Sequence, residues 1–259
     1  MKKYNAQKEW NKAILKQNSI AHPAEYVIRI FKGNYPKLQL SKKSFSRKKI
    51  CDVSCGDGRN IVLLNECGFD VYGTDITKEI VKHTKENLKR LGIKSTLKVG
   101  NNLHLPFDPS FFGYLLSWNA CYYMGNNLDF NLHVNEYARV LKKNGYLIMA
   151  IPKETFPYFK GCKKLKNGCY IIKNDPLKVR NGEILRRFKN KKEITKVFSK
   201  KFKNLRKQNL KLWHGVQSED VSILEGMQEG RNSPAYNGGN FSPIMDNPTH
   251  HFHKWVATN

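Results

Sequence analysis

The chain lacks the long apolar run of a membrane span. In its 259 residues no stretch approaches the roughly 18 to 20 apolar residues that cross a bilayer. The first residues lead into a polar segment and not into the apolar core of a signal peptide. Although there are six cysteines, they show no paired close spacing of the kind that zinc sites use. We therefore expect a cytoplasmic protein without a metal site.

Acidic residues are also scarce. Lys and Arg total 46 against 21 Asp and Glu, which gives a formal net charge of +25. The excess is uneven, with +11 in residues 1–49, +1 in 50–152, +16 in 153–215 and −3 in 216–259. Lysines that are simply solvated on exposed faces would account for this charge, and so would an anionic substrate or partner.

Strand and helix patterns alternate over the middle of the chain. Helical spacing of apolar residues near 3–16 and 21–33 comes first. Strands are then predicted near 48–53, 70–74, 95–99, 112–118 and 146–151, and helices near 58–67, 77–91 and 131–142. This alternation predicts an α/β fold with a Rossmann-like, doubly wound, mostly parallel sheet.

The pattern changes after Pro152. Two β-prone runs, 169–172 and 184–188, flank an Asn-Gly turn at Asn181, which indicates a hairpin. A basic helix near 191–202 and late strands at 203–213 and 251–257 follow, and the late strands enclose a long irregular segment.

These patterns divide one compact domain into four parts. They are an N-terminal helical lid with a basic linker (1–49), a core (50–152), a basic hairpin-plus-helix roof over the substrate (153–202), and the final strands of the sheet (203–259).

A glycine turn follows the first strand of the core. Asp52 ends an apolar run, and Gly56 and Gly58 precede a helix start. Glycines let the backbone pass close to a ligand, and backbone N–H groups at a helix start favour a carboxylate. A turn without any binding role could show the same short pattern.

An acidic residue ends the second strand. Asp75 lies 17 residues after Gly58, where its carboxylate could accept hydrogen bonds from both hydroxyls of a ribose at the carboxyl edge of the sheet. Alternatively, Asp75 caps the helix that begins near Thr77. A nicotinamide dinucleotide enzyme fits less well, because residue 61 is Ile where the third glycine of that motif belongs.

Four segments in this order resemble the class I S-adenosylmethionine (SAM)-dependent methyltransferases. They are residues 52–59, the acid at 75, residues 100–107 and residues 136–145. Two departures are Asn101, where that family commonly has Asp, and Asn144 before Gly145. The resemblance implies SAM as cofactor. Its implied binding residues are Asp52, Cys55, Gly56, Gly58, Asp75, Ile76, Asn101, Asn102, Leu103 and Trp118.

The acceptor side is less defined. Methyl transfer from a sulfonium depends mostly on positioning, although an oxygen nucleophile can need a base. The candidate bases are His133, His214 and His251, with His250 and His253 beside the last. The segment after the fourth strand, 117–124, lacks both the Asn/Asp-Pro-Pro-aromatic signature of amine-methylating enzymes and the paired cysteines of base-C5 enzymes.

Four further residues are candidates for acceptor binding. Tyr122 and Tyr123 either wall the acceptor pocket or simply pack. Arg186 and Arg187 point to opposite faces of a hairpin strand, so one of them is expected to hold an anionic group.

Three functions fit these observations. The first is methyl transfer to a hydroxyl or amine of a small anionic acceptor, such as a nucleotide-linked or phosphorylated sugar. The second is RNA methylation, with the basic flanks on phosphates. The third is a non-catalytic protein that binds a partner with the same fold.

Overall fold

The computed structural model describes residues 6–17, 19–33, 45–152, 156–199 and 201–202. The chain divides into two compact units, residues 1–209 and 210–259, and every described residue belongs to the first. The strands predicted at 203–213 and 251–257, together with His214, His250, His251 and His253, lie outside the described residues.

Helices and strands alternate as predicted between residues 49 and 149. In chain order the helices are α1 (Ala6–Leu15), α2 (Glu25–Phe31), α3 (Arg59–Glu66), α4 (Lys78–Arg90), α5 (Phe130–Val140) and α6 (Lys191–Phe198). The strands are β1 (Lys49–Val53), β2 (Asp70–Asp75), β3 (Thr96–Val99), β4 (Phe112–Ser117), β5 (Leu141–Met149), β6 (Lys163–Lys164), β7 (Cys169–Ile171) and β8 (Ile184–Arg186). Within the described residues, no helix combines the length and the apolar character that a membrane span requires.

The first five strands form one parallel sheet in the order β3-β2-β1-β4-β5. The chain builds outward from β1 to β3 and then returns to the other side of β1 with β4. A ligand site in such a sheet lies beyond the carboxyl ends of the strands, at the point where the order reverses. Here that point lies between β1 and β4. The predicted Rossmann-like architecture is confirmed.

Helices cover both faces of the sheet, so β1 is buried at four of its five positions. Cys51 and Val53 point into a cluster shared with α5, whereas Ile50 points into a cluster shared with α2, α3 and α4. Strand alternation thus divides one run of apolar residues between two cores.

The roof is a second, antiparallel sheet in the order β6-β7-β8, followed by α6. The predicted hairpin is confirmed, and Gly182 N donates to Ile172 O at its end (2.8 Å). Strand β6 was not predicted, because its two exposed lysines show no β pattern. Phe198 of α6 contacts Phe130 of α5 edge-on, with ring centroids 5.8 Å apart, which joins the roof to the core.

The boundary that differs most from the sequence prediction is the start of β5. Strand β5 begins at Leu141 and not near residue 146, since α5 passes into it directly and Leu141 pairs with Phe112 before a bulge.

Candidate active site

The two glycines of the first turn have different surroundings. Both have positive φ, 56° at Gly56 and 88° at Gly58, which favours glycine. A Cβ at Gly58 would lie 2.9 Å from Thr84 Cγ2, so this glycine lets α3 pack against α4. A Cβ at Gly56 would meet only Ile14 Cδ1, at 3.8 Å. Gly56 therefore borders the space between the turn and α1.

Asp75 ties the ends of β1 and β2 together. Its carboxylate accepts hydrogen bonds from Gly56 N and from Ile76 N, both 2.8 Å long. Burial raises the pKa of Asp75, while these two N–H groups lower it. Thr77, and not Asp75, caps α4, because its hydroxyl accepts from Ile80 N (3.2 Å). The capping explanation of Asp75 is therefore removed.

Buried polar atoms without a partner gather at the carboxyl edge of the sheet. Asp52 Oδ2 on β1, Thr74 Oγ1 on β2 and Ser117 Oγ on β4 have no hydrogen-bond partner among the described residues. These strands are neighbours, and a buried unpaired polar group costs free energy. Three such atoms at the switch point fit a site that a polar ligand completes.

Asp52 is the most perturbed carboxyl of this edge. Burial raises its pKa to about 8, a hydrogen bond from the Asn60 side chain opposes the rise, and Asp75 and Asp57 add to it. A cationic group here would favour the carboxylate form. SAM carries such groups in its sulfonium and its ammonium, so the residues present fit that cofactor.

The N-terminal segment lies over the glycine turn. Thr77 Oγ1 donates to Asn11 Oδ1 on α1 (2.9 Å). Two backbone N–H groups of the linking segment bind the turn: Ala21 N donates to Asp57 Oδ2 (3.0 Å) and Ala24 N donates to Asn60 Oδ1 (3.2 Å). The lid predicted for residues 1–49 therefore contacts the first turn of the core.

The segments after β2 and β3 carry two exposed apolar residues and a polar residue that closes a turn. Ile76 and Leu103 are large apolar side chains with exposed fractions of 36% and 41%. Asn101 Oδ1 accepts from Leu103 N (2.8 Å) and His104 N (3.0 Å), so it closes a local turn. Exposed apolar groups after Asp75 and Asn102 fit an adenine ring, and the contacts of Ile76, Asn101 and Leu103 with the cofactor stay predictions.

Asn102 and Cys55 face inward. The Asn102 amide donates to Ala120 O (2.9 Å), and its carbonyl accepts from the Tyr137 hydroxyl (2.8 Å). Cys55 is buried, and its N–H donates to Thr74 O (2.9 Å). The Asn102 side chain and the Cys55 backbone hold the loops around the site in place, and direct contact of either residue with the cofactor stays a prediction.

The segment after β4 is joined to the roof. Met124 N donates to Ile184 O (2.9 Å) and Arg186 N donates to Tyr122 O (2.8 Å), so residues 122–124 pair with β8. Tyr122 and Tyr123 stack with ring centroids 5.3 Å apart. Trp118 is half-buried and lies 6.4 Å from the Tyr26 ring of α2.

The chain matches the family model described as a methyltransferase domain over residues 44–209, well over half of its length. It belongs to this methyltransferase family. With the glycine turn and Asp75, membership makes the protein a SAM-dependent methyltransferase, an enzyme whose cofactor is S-adenosylmethionine. A second model, the catalytic domain of the ring hydroxylating alpha subunit, matches residues 186–259, mostly outside the described residues. No curated protein matches the chain at a significant level.

One solved structure supports the fold, and two others are similar to parts of the chain. A SAM-dependent methyltransferase from Methanosarcina mazei has 20% identity and a TM-score of 0.52, with 64% of this chain and 84% of that chain covered. A Pyrococcus horikoshii OT3 protein has 21% identity and a TM-score of 0.48, with 68% and 89% covered. The YcgJ protein of Bacillus subtilis has 24% identity and a TM-score of 0.37, with 47% and 53% covered. The methyltransferase thus spans about half the length of YcgJ.

The roof of the methyltransferase holds the two arginines singled out from the sequence. Arg186 is buried and forms an ion pair with Glu193 of α6. Its Nη1 donates to Arg187 O (3.0 Å). Arg187 is half-buried, and its guanidinium lies 4.5 Å from the centroid of the Tyr170 ring. The two arginine side chains contact different neighbours, and Arg186 joins the hairpin to α6.

His133, the one candidate base within the described residues, lies in the core. It is 1% exposed, and its Nδ1 lies 3.0 Å from Cys121 O. Burial lowers its pKa, so the ring is neutral at pH 7. A catalytic role for His133 stays a prediction, as it does for His214 and His251.

Sequence reasoning did not assign a role to two ion pairs that involve a buried carboxylate. One is Asp57 with Arg59, whose Nε donates to Asp57 Oδ1 (2.9 Å). The other is Asp175 with Arg180, where Nη1 lies 3.1 Å from Oδ1. Arg180 is one of many basic residues in the roof, and only its burial distinguishes it from them.

Proposed function

We propose that the methyltransferase acts on a hydroxyl or amine of a small anionic acceptor, such as a nucleotide-linked or phosphorylated sugar. The observation that carries this proposal is the pairing of residues 122–124 with β8. Because residues 117–124 follow β4 at the carboxyl edge of the sheet, this pairing brings the basic roof next to the cofactor edge.

The residues of this chain have separable tasks in that reaction. Bound SAM supplies a methyl group on a sulfonium, which needs no further activation. Asp75 would hold the ribose hydroxyls, and the Gly56 turn would approach the methionine part. Tyr122 and Tyr123 would wall the acceptor, and Arg186 or Arg187 would contribute positive charge toward it. Such catalysis rests on positioning the nucleophile in line with the donor.

The acceptor class is tested by methyl transfer from radiolabelled SAM. The purified protein is given a panel of phosphorylated and nucleotide-linked sugars in parallel with bulk RNA, each at two salt concentrations. We expect transfer to at least one sugar of the panel and a shallow salt dependence. Transfer to RNA alone, with a steep loss at high salt, would overturn the proposal in favour of RNA methylation, for which the exposed lysines of β6 would be phosphate contacts.

A cytoplasmic location also remains a proposal. Fractionation of cells that express the tagged protein tests it, and recovery in the membrane fraction would contradict it.

A further inference from the structure

A buried arginine, Arg180, lies in the loop between β7 and β8. The Arg180 side chain is 10% exposed. Its guanidinium carbon lies 5.1 Å from the ring centroid of Trp10 on α1 and 4.8 Å from that of Tyr158. Arg180 therefore links the N-terminal lid with the roof through cation–π contacts.

Asp175 fixes the position of this arginine. Its carboxylate is fully buried, accepts from Arg180 Nη1 (3.1 Å), and also accepts from Val179 N (3.0 Å) and Arg180 N (2.9 Å). These three hydrogen bonds use most of the acceptor capacity of Asp175 and fix one side of the Arg180 guanidinium. Arg180 Nε, by contrast, is buried and has no hydrogen-bond partner among the described residues.

A second unpartnered donor lies next to Arg180. The Tyr123 hydroxyl is also buried and likewise has no well-formed hydrogen bond within the described part of the chain. Burial raises the pKa of Tyr123 to about 12, while the positive charge of Arg180 and the nearby N–H donors of Arg180 and Trp10 lower it. The hydroxyl therefore stays protonated at neutral pH and can donate. Arg180 and the indole N–H of Trp10 are donors only, so the cluster is complementary to acceptor oxygens.

The cluster is tied to both halves of the proposed site. Tyr123 bridges to Leu185 of β8 and belongs to the segment after β4. Trp10 precedes Asn11, which contacts Thr77, and Ile14, which lies over Gly56. One helix, α1, thus reaches from the cofactor turn to Arg180.

We propose that Arg180 and Tyr123, enclosed by Trp10 and Tyr158, bind an oxyanion of the methyl acceptor, either a carboxylate or a phosphate. This assignment rests on the proposed placement of the acceptor beside the roof. Arginine suits the role because its planar fork binds two oxygens together. Glu183 also acts electrostatically on Tyr123, and burial raises the pKa of its carboxyl. An acceptor with a hydroxyl or amine beside its oxyanion would bind Arg180 and Tyr123 through the oxyanion and Glu183 through the hydroxyl or amine.

The test uses inorganic phosphate and acetate as probes. Their dissociation constants are measured for the full chain by titration calorimetry, with and without SAM. Arg180→Met should weaken binding of the preferred probe at least about tenfold, and Tyr123→Phe should weaken it by a few-fold, as expected for charged and neutral hydrogen bonds. Arg180→Lys should recover only part of the loss. The probe that binds more tightly identifies the source of the oxyanion.

Arg90→Met is the matched control, because it removes the same charge from the exposed end of α4, and it should change neither constant. Equal probe affinity in the wild type, Arg180→Met and Tyr123→Phe would overturn the assignment, and so would a wild type that binds neither probe. If Arg180→Met does not fold, the probe affinities of Tyr123→Phe and Arg180→Lys decide whether the assignment holds. SAM affinity is measured on the same samples.

Absence of methyl transfer to every sugar would defeat the proposed acceptor class. A loss of phosphate or acetate binding that is confined to the Arg180 and Tyr123 variants would still uphold the oxyanion site.

Discussion

The cofactor edge of the sheet and the roof bury ionisable groups of opposite type. At the edge the buried carboxyl groups are those of Asp52, Asp57 and Asp75, and in the roof the buried cations are Arg180 and Arg186. The roof arginines each have an acidic partner, Asp175 and Glu193 respectively.

The difference lies in how completely each charge is compensated. Asp75 is held by two backbone N–H groups, and one oxygen of Asp52 has no partner among the described residues. Burying a charge is costly unless it is paired. A cation such as that of SAM would therefore complete the edge, whereas the roof is largely compensated from within and keeps only a few unused donors.

The largest expected effect comes from filling the space beside Gly56 at the cofactor edge. Gly56→Val should abolish SAM binding, because it places a branched side chain beside Ile14 in a left-handed conformation. Gly92→Val is the matched control, since Gly92 has φ 71° but nothing within 4 Å of its Cβ position. Calorimetry should show binding lost only in the first variant. Normal SAM affinity in Gly56→Val would remove the cofactor from this turn.

A smaller loss is expected from Asp75, the proposed ligand of the ribose. Asp75→Ala should weaken SAM at least tenfold, since lost hydrogen bonds to a charged group cost about 1.5 to 3 kcal/mol. Because Asp75 also holds Gly56 N, thermal unfolding is followed on the same samples. Asp70→Ala, at the exposed start of the same strand, should leave affinity unchanged. A folded Asp75→Ala protein with wild-type affinity would contradict the assignment.

Arg186 tests whether the roof compensates its own charge. Arg186→Met should lower the free energy of unfolding by about 2 kcal/mol, less than for a fully buried pair because the Glu193 side chain is 31% exposed. SAM affinity should not change. Arg187→Met is the comparison, and a rise in acceptor KM in either variant would identify the arginine that faces the acceptor. A stability loss no greater than that of Arg90→Met would show that the ion pair contributes little.

The last comparison concerns pH. Burial raises the pKa of Asp52 to about 8 from an ordinary value of 3.8, so the folded chain binds a proton that the unfolded chain releases. Stability should therefore fall as pH rises between these values, by at most about 1.4 kcal/mol per pH unit. Asp52→Asn should flatten the dependence of Tm on pH between 5 and 8, whereas the exposed Asp70→Asn should not.

The same group links pH to the cofactor. If the cation of SAM lowers the pKa of Asp52, binding at pH 7 should release protons, which calorimetry in two buffers of different ionisation heat detects. Equal proton release in the wild type and in Asp52→Asn would exclude Asp52 as its source.

Local patterns in the sequence determined the sheet, the glycine turn and the acid at its second strand. Alternation of buried strands with amphipathic helices predicts a parallel sheet, and this prediction needs no information about contacts between residues distant in sequence. The spacing from Gly58 to Asp75 places both at one edge, because each follows the carboxyl end of a strand. The hairpin likewise follows from its Asn-Gly turn.

Tertiary structure alone decided which polar residues face the site and which hold it together. Asn102 carries the chemistry of a ligand contact, yet its partners are Ala120, Tyr137 and Tyr123, which come from distant segments. Arg180 looks like any other roof cation in the sequence, and burial against Trp10, 170 residues earlier in the chain, sets it apart. Desolvation and unpaired donors depend on what packs around a side chain, and this packing comes from parts of the chain that no local pattern connects.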